Sequence, residues 1–348
     1  MENSDMRYSK EFYHHTLYGF SALVLGIIYT CFLSLMPNSW FRDRDNYLVY
    51  ANSAASIIDG YKEIGILFFN EPIFLYSNVL LERIIHYEYI PNIFVLMTSS
   101  VFFFLLVKYA KNFLTLMLGL MVSLVLPYLI QGELVALRQG IATSIFALSF
   151  FYIKDNKKIA LVLFLCAFIH SIFFLFLFFW VLNFIFLEKM NFNKKLLLNF
   201  LSMMVFSFVL LVIAEILGLR QGAEYQGNVD IQNAGGAFVL FLVVFIYLYF
   251  YGNQENTKLY EFSLIGLVIF LAAYFLSPIA GRFLNTVAPF MIFLLVSRST
   301  LMDLMVLVGL FFVFSILFIN GSYMALLEIP AAQAMELFSH YVTGFFNL

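Results

Sequence analysis

Charge is scarce in this sequence. Asp, Glu, Lys and Arg make up 11% of its 348 residues, whereas a soluble domain carries roughly 25%, so a water-soluble globular fold is excluded. The net charge of −2 removes the electrostatic basis for holding nucleic acid. There are 2 cysteines, Cys31 and Cys166. Both lie in apolar runs, so neither a disulfide framework nor a zinc site is on offer, and no metal is expected. The chain also lacks a G-x-S-x-G elbow, a Walker loop, an H-E-x-x-H pair, a heptad seam and an internal repeat. It shows no soluble domain, and 1–348 reads as a single integral membrane domain.

Apolar residues are plentiful: 63% of the chain, with 45 Phe and a mean hydropathy of +0.93. Apolar runs of about 15–25 residues recur from Leu17 to Asn320, which predicts an all-α polytopic membrane protein. Unbroken runs such as Ile172 to Leu187 exclude a β-barrel. Eleven spans are expected, near 17–36, 91–107, 113–131, 134–153, 158–171, 172–187, 195–217, 236–251, 260–277, 281–297 and 301–320. The first reads as a retained span, because Leu17 to Met36 is too long for a signal core and lacks a small-residue cleavage site. Residues 72–89 are apolar but carry Glu82, Arg83, His86 and Glu88, and are expected to be interfacial or re-entrant.

Basic residues set the sidedness. With the N-terminus cytoplasmic and 158–187 folded back at His170–Ser171, Arg7, Lys10, Lys108, Lys111, Lys154, Lys157, Lys158, Lys189, Lys194, Lys195, Lys258 and Arg298 all fall inside. The remaining basic residues are Arg42, Arg44, Lys62, Arg83, Arg138, Arg220 and Arg282, nearly all arginine. Loops 37–90 and 218–235 and the tail 321–348 fall outside. A planar, permanently charged fork suits phosphate or carboxylate, so the arginines point to an extracytoplasmic anion site.

Arg138, in QGELVALRQGIA, sits near the outer end of its span, where an unpaired charge is costly and marks function. Its neighbour Glu133 is five residues away and shares its helix face poorly. Arg282 begins the tenth span in SPIAGRFLNTVAP, with Asn285 one turn deeper. An Arg there opposes the helix dipole, while dipole and guanidinium together favour a bound anion. The loop FRDRDNYLVY supplies Arg42, Arg44 and Asp45. Glu71 precedes Pro72 at a helix entry, and His170 stands at the hairpin apex. Asp45, Glu71 and His170 are the candidates for a general base.

These residues occur in a recognisable series: Arg42, Asp45 and Tyr47, then Glu71 to Phe74, RQGIA from Arg138 to Ala142, His170–Ser171, and Gly281–Arg282. The series resembles the EpsG-like branch of Wzy-type polysaccharide polymerases over residues ~40–290. The family's first loop commonly has Gly before its acid, where this chain has Arg44. The resemblance implies a GT-C-like membrane glycosyltransferase of the bacterial inner membrane that makes O-antigen, capsule or exopolysaccharide. Such an enzyme transfers a glycan from a polyprenyl-diphosphate carrier to the non-reducing end of a lipid-linked repeat unit at the outer face, with inversion. It implies no cofactor, and as partners the lipid-linked oligosaccharide and a chain-length regulator. Arg138, Arg282, Arg42 and Arg44 would hold the diphosphate, and Tyr47, Gln139 and Asn285 would line the substrate. The competing expectation is a flippase for the same lipid-linked glycan, a class that usually shows repeated halves and midplane polar sites.

Overall fold

The computed structural model describes residues 2–61, 70–216, 231–277, 279–323 and 326–347. Lys62, Arg220, Pro278 and most of the expected loop 218–235 lie outside the described residues.

Among the described residues the regular structure is helical. In chain order it comprises α1 (Glu2–Ser34), α2 (Arg44–Gly60), α3 (Pro72–Glu82), α4 (Ile90–Tyr109), α5 (Phe113–Ser123), α6 (Pro127–Ile130), α7 (Leu137–Tyr152), α8 (Asn156–Ala167), α9 (Phe173–Val181), α10 (Phe192–Ile216), α11 (Ile231–Tyr251), α12 (Thr257–Ala273), α13 (Ile279–Val296), α14 (Leu301–Ile319) and α15 (Ala331–Phe346). Two π-helical turns extend α6 and α9, Gln131–Val135 and Leu182–Phe186.

Each of the eleven expected apolar runs falls on helix. By length and composition, 4 described helices can cross a bilayer: Tyr87–Tyr109, Phe192–Val209, Ile279–Val296 and Leu301–Ile319. The pair Phe113–Ser123 and Pro127–Val135, bent by 73°, makes a fifth if it counts as one span. Most of the remaining apolar helices stop short of the ~20 residues that a ~30 Å hydrocarbon core demands. The architecture fits a polytopic membrane protein with several short and broken helices.

Two ambiguous stretches resolve. Residues 158–187 form a hairpin: Trp180 donates to the carbonyl of Asn156 at 3.0 Å, and Asn156 to that of Phe184 at 3.1 Å. Residues 72–89 yield the 11-residue α3 and a short 3-10 turn, Tyr87–Tyr89. At 1.5 Å per residue α3 reaches only about 16 Å, too short to cross.

Aromatic packing holds the centre. Phe146 and Phe150 of α7 meet Trp180, Phe262 and Phe290, with ring centroids 4.9–5.8 Å apart, the range for offset and edge-to-face pairs. α12 and α13, buried along most of their lengths, form the core's spine. Gly266 lets them close: a Cβ there would lie 2.5 Å from Val287.

The tail is more structured than its sequence suggested. The Leu326 carbonyl accepts from the Arg42 N–H at 3.1 Å, and the Glu328 N–H donates to Trp40 at 2.9 Å. α15 then lies against the end of α1, where Tyr341 donates to the Phe32 carbonyl at 2.6 Å and stacks near Phe32 and Trp40.

Candidate functional site

The site grows from three chain segments meeting at the start of α7. Glu71 immediately precedes α3, with Pro72 as its first helical residue, and adopts a left-handed backbone (φ 56°). That conformation is uncommon for a non-glycine residue and marks a constrained position. It presents the carboxylate to two partners. Oε2 pairs with the Arg138 guanidinium, and Oε1 accepts the Ser171 N–H at 3.1 Å. Glu71 thereby ties the α3 entry, the start of α7 and the α8–α9 turn together.

Arg138 is enclosed by rings. Its guanidinium carbon lies 5.8, 5.3 and 5.8 Å from the centroids of Tyr47, Tyr50 and Phe74, within cation–π range. Its Nε is buried and has no hydrogen-bond partner. Tyr47 and Tyr50 come from α2, whose inward face repeats at Arg44, Tyr47, Ala51 and Ala54, the three-to-four spacing of one helix side.

His170 sits beyond the ends of α8 and α9, its Nδ1 3.9 Å from Glu71 Oε1. The same nitrogen accepts the Ile172 N–H at 3.2 Å, so the neutral ring carries its proton on Nε2 and acts as a donor there. Burial first, then the charges of Arg138 and Arg282, push the imidazole down to about 3. It stays neutral at physiological pH.

Arg282 approaches the same histidine from the first turn of α13. Gln139, next to Arg138, donates to the Arg282 carbonyl and to Thr286 Oγ1 at 2.9 Å. This locks the two arginine-bearing helix starts side by side. Arg282 is exposed and makes no ion pair among the described residues. A cavity of about 470 Å³ opens there, polar at His170, Ser171 and Arg282 and apolar along Phe174, Leu175, Phe178 and Phe206. Such a shape accepts an anionic head on an apolar chain.

The other expected residues are placed differently. Arg44 turns inward: Nε donates to the Leu134 carbonyl at 2.6 Å and Nη1 to Asn38 at 2.7 Å. It is 1% exposed, and burial lowers its pKa to about 10, which leaves it charged. Its contacts stitch α2 to the Gln131–Val135 turn and leave little for a ligand. Asp45 and Arg42 are exposed. Asp45 is two residues from Tyr47, and such positions do not share a helix face, so an inward Tyr47 turns Asp45 away from Arg138. Asn285 is buried behind Arg282 and faces a separate small chamber.

Several contributors were not anticipated. Tyr50 and Phe74 complete the aromatic box, and Tyr50 was legible as the i+3 neighbour of Tyr47. Ser171 contributes its backbone, which no side-chain pattern advertises. The sequence profile of the EpsG family matches residues 21–343. No curated protein and no solved structure matches the chain. The match takes in nearly the whole chain, and the protein belongs to the EpsG family.

Proposed function

We propose that this EpsG family member is a polysaccharide polymerase, a Wzy-type membrane glycosyltransferase of GT-C-like build in the bacterial inner membrane. It would join lipid-linked repeat units by moving a glycan from one polyprenyl diphosphate to the non-reducing end of another unit. The observation that carries this reading is the apolar groove whose polar end is formed by His170 and Arg282, with the Glu71–Arg138 ion pair directly behind His170. The eleven-span topology, with the N-terminus cytoplasmic and the tail outside, belongs to the same proposal. The hydrogen bonds between residues 40–42 and 326–328 support it, because they require the first outer loop and the tail to share a side.

In this mechanism Arg282 and Arg138 hold the diphosphate, and the isoprenoid runs along Phe174 and Phe178. The acceptor hydroxyl oxygen bonds to the anomeric carbon as the carbon–oxygen bond to the diphosphate breaks. The departing electron pair is neutralised by the guanidinium groups. The hydroxyl proton passes to a carboxylate. Geometry ranks Glu71 ahead of Asp45 for that role, since Glu71 lies in the cluster. His170, with Nδ1 occupied and Nε2 protonated, serves as a hydrogen-bond donor to the sugar or diphosphate.

The test is reconstitution in vesicles with lipid-linked repeat units, read as a ladder of lengthened glycans. Lengthening that depends on Arg138 and Arg282 supports the proposal. Transbilayer movement of the units without lengthening would favour a flippase and overturn it.

A further inference from the structure

Behind the arginines lies a small chamber of about 30 Å³, whose mainly apolar wall also carries Thr98, Gly132, Glu133, Gly140, Thr143 and Asn285. One small particle fits, since a water-sized occupant needs roughly 10–15 Å³ measured this way. Its walls are unusual in leaving polar atoms without partners. Glu133 Oε1 and both side-chain atoms of Asn285 are buried and unbonded, in residues 8% and 2% exposed. Buried polar groups are nearly always paired, and exceptions call for an explanation.

Oxygen predominates among the unpaired groups. Pro289 lies inside α13 and has no N–H, which deprives the Asn285 carbonyl of its usual helical donor. The Gly132 carbonyl is pressed toward α7, where a Cβ on Gly140 would lie 2.1 Å from its oxygen. Glu133 Oε2 accepts from Tyr29 at 2.8 Å, and Ser123 donates to Tyr29 at 3.3 Å. No Lys or Arg pairs with it among the described residues. Enclosed this way, the carboxyl group either keeps its proton or ionises against a compensating positive charge. A water supplies none, and a divalent ion would leave an uncompensated positive charge beside a single carboxylate.

We propose that the chamber binds a dehydrated monovalent cation of sodium size, held by Glu133 and Asn285. Broken membrane helices that offer freed carbonyls to such an ion are a known device. Here the ion would clamp the Gln131–Val135 turn, which leads into Arg138, to α13, which carries Arg282. It therefore fixes the spacing of the two arginines without touching substrate.

The experiment uses the full-length protein in detergent or nanodiscs at constant ionic strength, replacing choline chloride stepwise with NaCl or KCl. The thermal midpoint should climb with NaCl and saturate, as mass action requires of a ligand bound only by the folded state. KCl should act at least tenfold more weakly. Glu133→Gln keeps the shape and an acceptor for Tyr29, and should abolish the NaCl dependence. In parallel, bound radioactive sodium on the wild-type protein should be displaced by unlabelled sodium and not by choline. A midpoint indifferent to sodium, a full sodium response in Glu133→Gln, or no displaceable sodium would each overturn the site. None of these readouts involves polymer, so they stand or fall apart from the polymerase reading.

Discussion

The two ends of the helix bundle treat buried charge in opposite ways. Where α7 finishes, charges are matched within the fold. Lys195 meets Glu261 at 3.1 Å, and Asp303 accepts from Tyr247 at 2.6 Å and pairs with Arg298 at 3.2 Å. Lys258 caps α7 by donating to the Phe150 carbonyl at 3.0 Å while lying over the Phe150 and Trp180 rings. Where α7 begins, the inventory does not close. Arg138 has its one carboxylate partner in Glu71, and Arg282 is exposed with no ion-pair partner among the described residues. The first end uses charge to hold helices together. The second keeps positive charge in reserve, at the cost of stability, as expected where an anion is to be bound.

That contrast can be broken by substitution. The largest effect is expected for Arg138→Ala and Arg282→Ala, which should each cut lengthening by about 10²–10³-fold in protein that inserts normally. Arg282, exposed and without an ion-pair partner among the described residues, should do so with an unchanged thermal midpoint. Matching losses of midpoint and activity would place it with the structural charges instead. Glu71→Gln comes next. The amide oxygen can still accept the Ser171 N–H, so the fold should persist while lengthening falls by about 10²-fold or more. Asp45→Asn should leave the ladder near normal, and loss of the ladder would return the base to the first loop.

At the other extreme, Lys195→Met with Glu261→Gln should change the midpoint while leaving lengthening per folded molecule unaltered. Arg44 tests the boundary between the two kinds of charge. Arg44→Ala should destabilise by about 2–4 kcal/mol, because the Leu134 carbonyl and Asn38 lose buried donors, whereas Arg42→Ala should do little. Paired chemical denaturation of the two variants makes the comparison.

The last comparison concerns acid. The His170 pKa is lower in the folded protein, about 3, than in the unfolded chain, roughly 6.5. Between those values the unfolded state binds more protons, so stability is fully present above pH ~6.5 and declines as pH falls toward 3. His170→Asn should flatten that part of the midpoint-versus-pH curve. An unchanged slope would show that the imidazole is not held neutral.

Much of this was legible in residue types. The excess of Arg over Lys among the charges outside the cytoplasmic set picked out Arg138 and Arg282, because only the planar fork repays the cost of its position. Sequence did not separate Arg44 from Arg42, although the 44–47–51–54 spacing held the answer: the face that buries Tyr47 also buries Arg44. Asp45 stands first by its resemblance to GT-C enzymes with an acidic residue in the first outer loop, and helix phase turns it outward. The Glu71–Arg138 pair spans 67 residues and arises from a left-handed backbone that no local pattern signals. The short spans escaped because apolar runs show where helix forms, while π-helical turns and tight hairpins decide how far it extends.

The hydrogen bonds between residues 40–42 and 326–328 also bear on how the protein is made. The segment at residues 40–42 is synthesised early, yet its pairing partner emerges about 285 residues later. At 5–20 residues per second that is roughly 15–60 s. Through that interval the loop carrying Trp40 and Arg42 waits without its backbone partners. Assembly of this face is therefore a closing event, completed only when the strap arrives. A chain truncated after α14 would insert its helices and still leave this loop unfastened.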